Sequence, residues 1–179
     1  MRKNYVTVGS ILVLVVLFSA CASVYYPLET AKESPYYGKI DKSQAVDIIM
    51  KQTRLSDTHW EPISVSHTDP RSFMADTAGM SFRKTEKKKR TEFRDRKPVE
   101  VEYQEVIIQN VPWEAVTEIR PIHNDYGLLG MAYVIKLVYR FSALDSYGRY
   151  QETAEIEFNV RGSREQFVNV LAAFRTLIR

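Results

Sequence analysis

The stretch from Met131 to the C-terminus sets the tightest limit on the fold. Tyr150 to Val160 alternates strictly. Ala154, Ile156, Phe158 and Val160 point to one side, and Thr153, Glu155, Glu157 and Asn159 to the other. That period of two describes a strand with one face in a core. Before it, Met131 to Phe141 is apolar on both faces apart from Lys136 and Arg140, the pattern of a central strand. Asp145-Ser146-Tyr147-Gly148 between them is turn chemistry. After them, Ser163 and Gln166 form a capping box, followed by Phe167, Val170, Leu171, Phe174 and Leu177 or Ile178 at helical spacing. An antiparallel pair running into an amphipathic helix demands a sheet with that helix laid on it.

Upstream, further strands are read at Pro62–His67, Ser72–Asp76, Met80–Arg83, Val99–Gln109 and Val116–Arg120. Thr77-Ala78-Gly79 supplies a tight turn between two of them. Asp41 with Gln44 opens a helix that runs to about Arg54, with Ala45, Ile48 and Ile49 on its apolar face. The fold class is therefore α+β, mainly β, with about seven antiparallel strands, a C-terminal amphipathic helix and an extra N-terminal helix. At 179 residues, 45% of them hydrophobic, the chain can bury a core without metal or disulfide. Its single cysteine excludes an internal disulfide and a cysteine-rich zinc site.

The order of these elements resembles the pleckstrin-homology/GRAM-like fold. The resemblance is carried by Phe73–Arg83 (FMADTAGMSFR), Val106–Glu118 (VIIQNVPWEAVTE) and Phe158–Leu177, where a strand runs into a helix. It covers roughly residues 60–179 and implies a partly open barrel of two nearly orthogonal sheets, plugged at one end by the last helix; with the helix before it, the globular domain is expected over residues 40–179. A helix on a simple curved sheet, as in cystatin-like folds, is the alternative.

The N-terminus speaks to location. Arg2 and Lys3 precede an apolar run, Ile11–Phe18, that falls short of the ~20 residues a bilayer-spanning helix needs. Small residues follow, as at the end of a secretory leader. Phe18-Ser19-Ala20-Cys21 resembles the lipobox of bacterial lipoproteins, with Phe18 where that family usually has leucine. The resemblance implies a signal peptide over residues 1–20, acylation of Cys21 and, with Ala22 following, an outer-membrane anchor facing the periplasm of a Gram-negative cell. Residues 21–39 show no periodicity and carry Pro27, Pro35 and Gly38, and are expected to form a flexible tether.

Removal of the leader leaves 23 basic and 22 acidic residues. The balance is uneven along the chain. Arg83–Lys97 (RKTEKKKRTEFRDRK) carries net +6, and the rest of the mature chain net −5. Lys87, Lys88, Lys89, Arg90 and Arg94 are the candidate contacts to an anionic membrane or an acidic envelope partner. The competing expectation is a solvated hairpin whose charges pair with Glu100, Glu102 and Glu105. Nucleic acid is not an expected partner outside the cytoplasm, and no cofactor is expected.

Of the three histidines, His59, His67 and His123, two are read beside an aspartate, His67 with Asp69 and His123 with Asp125. The chain has no HExxH, no GxSxG and no phosphate-cradling glycine loop. Tyr126–Met131 reads as an apolar loop, and Trp60 and Trp113 as core or rim residues. The function read from these features is a lipid-anchored, non-enzymatic binding or scaffolding domain of the cell envelope. The alternatives are a hydrolase using one His/Asp pair, or a carrier of lipid or small ligand.

Overall fold

A computed structural model describes residues 22–56, 66–94, 96–125, 131–145 and 148–178. Eight antiparallel strands form two sheets in these residues. Strands β1 (Ala22–Tyr25), β6 (Val116–Asp125), β7 (Met131–Asp145), β8 (Gly148–Val160) and β2 (Thr53–Leu55) make one, in the order β1-β6-β7-β8-β2. Strands β3 (Ser66–Ala75), β4 (Gly79–Arg94) and β5 (Lys97–Pro112) make the other, in chain order. Helix α1 spans Lys42–Gln52 and helix α2 Arg164–Leu177. The α+β, mainly β class is thus observed, with eight strands among the described residues: β1 and β2 are unexpected, and the described part of the expected Pro62–His67 strand is continuous with that expected at Ser72–Asp76, as β3.

The patterned segments fold as their periods dictate. In β8, Ile156, Phe158 and Val160 are buried, while Glu155 and Asn159 are exposed. β7 is central, flanked by β6 and β8, which explains its two apolar faces. Both helices open on the expected capping boxes, at Asp41/Gln44 and Ser163/Gln166. Phe167, Val170, Leu171, Phe174 and Leu177 seal α2 to the core. Phe174 meets Trp113 and Phe158, at ring-centre distances of 6.2 and 5.3 Å. The sheets interlock through Phe73 on Phe158 at 5.0 Å and Phe82 on Tyr139 at 6.5 Å.

Two N-terminal expectations are corrected. Helix α1 stops at Gln52, not Arg54. The Thr53 hydroxyl donates to the Ile49 carbonyl at 2.7 Å, and Thr53–Leu55 turns into β2 beside β8, alternating buried, exposed, buried. More consequentially, the described part of residues 21–39 is not a flexible tether. Ala22–Tyr25 pairs along β6 from Asp125 to Ile122. A 3₁₀ helix at Leu28–Glu33 then packs on α2, burying Thr30 and leaving Ala31 at 0% exposure. The Ser34 hydroxyl donates to Asn169 Oδ1 at 2.7 Å in the interior, so a polar pair locks the segment to α2.

The turn read at Thr77–Gly79 is present, with Asp76 as its organiser. Its carboxylate accepts from the N–H groups of Ala78 (2.7 Å) and Gly79 (2.9 Å). The Gly79 and Ala78 N–H groups hold that carboxyl below the usual aspartate range. Gly79 leaves β4 and β5 room to meet. A Cβ there would lie 2.5 Å from the Val111 carbonyl oxygen and 2.9 Å from Pro112 Cα. Both are backbone atoms that cannot swing away. Gly79→Ala is therefore expected to destabilise the domain by ~1–3 kcal/mol, read as a lower urea midpoint at unchanged m-value.

Cys21, His59, Trp60, the Pro62–Val65 part of an expected strand, the Tyr126–Gly130 loop, and Ser146 and Tyr147 of the expected turn lie outside the described residues.

Candidate functional site

The basic segment builds most of one long hairpin. β4 and β5 pair without interruption from Gly79↔Pro112 to Arg94↔Lys97. The third strand stops earlier, since β3 pairs with β4 only from Ala75↔Met80 to Ser66↔Glu86. Lys87–Arg94 and Lys97–Gln104 therefore extend as two strands alone among the described residues. Eight residues at ~3.4 Å each make an arm roughly 27 Å long. A two-stranded ribbon is marginal in water by itself, so the side chains across it must help to hold it.

The register shows which do. Lys84 lies 3.0 Å from Glu86, and Lys88 contacts Glu105 and lies 3.9 Å from Glu86. Lys89 faces Glu100 at 3.4 Å and Glu102 at 3.6 Å. Arg90 and Arg94 share Glu92, at 2.6 and 3.4 Å. The Arg90 guanidinium also lies over the Tyr103 ring, 5.4 Å from its centre. The hydrogen-bonded Glu105 carboxylate holds the Lys88 ammonium above the ordinary lysine range, and Glu100 does the same for Lys89. Exposed pairs of this kind contribute ~0–1 kcal/mol each, and here they form a network along the ribbon.

Pairing with Glu100, Glu102 and Glu105 was one of the two expectations, and it holds for Lys88 and Lys89. It does not neutralise the arm. Arg83–Glu105 carries nine basic and six acidic residues. Lys87, Arg96 and Lys97 form no ion pair with any described residue. Two of those three sit at the hairpin tip, where Arg96 takes a left-handed conformation (φ 63°). Phe93 stands beside them, opposite Pro98 and 76% exposed. The arm thus offers cations with no described acidic partner, two of them beside an exposed aromatic ring. A run of lysines does not reveal which cations stay unpaired. The mirror placement of lysines and glutamates about residues 95 and 96 is the signal that carries it.

The histidine pairs are placed differently from one another. His67 and Asp69 lie on β3 opposite Thr85 and Arg83, and Asp69 accepts from the Arg71 N–H at 2.9 Å. His123 lies on β6 stacked on Tyr133 at 4.9 Å, with Tyr26 and Phe167 completing an aromatic cluster. Among the described residues no group of three or more His, Cys, Asp or Glu is arranged to hold a metal ion. An open cavity of about 350 Å³ lies at the opposite end of the hairpin, lined by Met74, Asp76, Gly79, Asn110 and Pro112 among others. No protein-family model, no curated protein and no solved structure matches this chain.

Proposed function

We propose that the chain is an envelope lipoprotein, anchored through Cys21, whose non-enzymatic domain uses the β4–β5 arm to dock on an anionic lipid surface. The observation that carries the docking is the arm itself, with Lys87, Arg96 and Lys97 in no ion pair with a described residue and an exposed Phe93, on a ribbon that extends past the described part of β3. Cations gain ~1 kcal/mol each beside an anionic membrane, and an aromatic ring suits the headgroup level. Two further points support the reading. No helix among the described residues is long and apolar enough to cross a membrane. β1 starts at Ala22, one residue after Cys21, so the domain sits at the bilayer without slack. The pleckstrin-like reading belongs to this proposal too. Two antiparallel sheets meeting through Phe73–Phe158 and Phe82–Tyr139, with a helix after the last strand, favour it.

The test replaces Lys87, Lys88, Lys89 and Arg90 by glutamine together. The Arg83–Glu105 stretch then falls from net +3 to net −1, and the stranded glutamates repel the surface. Binding to vesicles containing anionic phosphatidylglycerol is expected to weaken on the order of a hundredfold at low salt. The difference should shrink at high salt as the charges are screened. Unchanged binding with an unchanged circular-dichroism spectrum removes the arm from the membrane-docking role. Capture by an acidic protein instead assigns it to a protein partner.

A further inference from the structure

We propose that β5 pairs with β5 of a second copy of this chain, joining the two three-stranded sheets across a two-fold axis near Gln104. β5 is an edge strand with no described neighbour beyond it. The Trp113 N–H donates to the Ala78 carbonyl, and the β4–β5 register runs from there without a shift. Odd-numbered residues of β5 therefore bond to β4. Even-numbered residues turn their N–H and C=O groups outward. Glu100, Glu102, Gln104, Val106, Ile108 and Asn110 are those residues. Pro98 and Pro112, of the same parity, have no donor and mark the two ends of the open edge.

A bare edge of this length is a template for another strand, and three observations select a second copy as that strand. First, the acids of β5 are confined to Glu100–Glu105, while Val106–Val111 carries no charge. An antiparallel two-fold at Gln104 sets each acidic half against an uncharged half. Glu102 meets Val106, Glu100 meets Ile108, and Tyr103 meets Glu105. Second, Val106 and Ile108 stand 58% and 67% exposed on this strand, and the glutamate stems of the second copy cover them. Val101 meets Ile107 on the other face. Third, no described strand flanks the arm on its β4 side. The base of the other copy's β5, already backed by its β4 and β3, supplies a third strand on the β5 side. About ten main-chain hydrogen bonds result.

The experiment uses the full chain. Gln104→Cys is oxidised in membranes beside Ser142→Cys, a control exposed on the other sheet, with Cys21 present in both. The expected result is at least tenfold more disulfide-linked dimer for Gln104→Cys, and twice the chain mass for the purified protein in sedimentation. Ile108→Glu, which opposes Glu100 of the second copy, is expected to weaken the dimer at least tenfold. Ile108→Lys is expected to tighten it. Val106→Pro removes an outward donor and leaves the β4–β5 ladder intact, so it is expected to give a folded monomer. Equal crosslinking of the two cysteines, a monomeric mass at all concentrations, or the same response to Ile108→Glu and Ile108→Lys overturns the pairing.

Discussion

A Cys21→Ala chain is expected to incorporate no labelled palmitate and to accumulate with its leader attached, larger by the 20 residues that a mature chain loses. The reasoning runs through chemistry and through geometry. A thiol is the one side chain here that can accept the acyl group of a lipobox, and the sequence offers no second cysteine to take over. Two or more acyl chains give stable anchoring, where one gives only marginal binding. Loss of the thiol therefore removes the acyl anchor. The domain should still fold, since β1 begins beyond the substituted residue. A soluble, correctly folded form should follow if the leader is replaced by one that is cut without acylation. A mature Cys21→Ala chain that stays membrane-bound with no acyl group refutes the lipoprotein assignment.

Trp113→Ala is expected to cost ~3–5 kcal/mol of stability, enough to unfold many domains of this size. Trp113 lies in the 3₁₀ turn between β5 and β6, the only direct chain link from the second sheet back to the first. It is 1% exposed, packs edge-on against Phe174, and donates its indole N–H to the Asp76 carbonyl at 2.9 Å. One side chain thus ties α2, the β3–β4 turn and the inter-sheet corner. Trp113→Phe separates the contributions. It keeps most of the ring and loses the hydrogen bond, for a smaller loss of ~1 kcal/mol plus a small cavity. Urea unfolding followed by far-ultraviolet circular dichroism gives both values. Equal midpoints for Trp113→Ala and the native chain remove Trp113 from this role.

What was legible in the sequence was what repeats. β7, β8 and α2 carry enough residues for a period of two or 3.6 to stand out, and both capping boxes are local chemistry. The Asp76–Gly79 turn was legible for the same reason. The N-terminal segment was not. A four-residue strand and one 3₁₀ helix are too short to show a period, and what they bury is small or polar: Thr30, Ala31 and Ser34. Proline and glycine there mark bends in a docked segment. The arm was half legible. Lys84–Arg90 has too few apolar residues to announce a strand. It is held as one by the partners that register brings across from β5, and register is a property of the folded pair. The free edge of β5 is likewise a matter of strand order.

The packing of Ala22–Ser34 also sets the order in which this protein is built. β1 pairs with residues about a hundred positions later, and Ser34 closes on Asn169, 135 residues away. Contacts this distant form slowly, after the entropy of closing long loops has been met. β1 therefore waits for β6, and Ser34 for a residue near the end of the chain. Until α2 has emerged, the 3₁₀ segment and Ser34 have nothing to pack on, and segments exposed in this way invite aggregation. The Ala22–Ser34 stretch is therefore expected to be the last part of the domain to gain hydrogen-exchange protection on refolding.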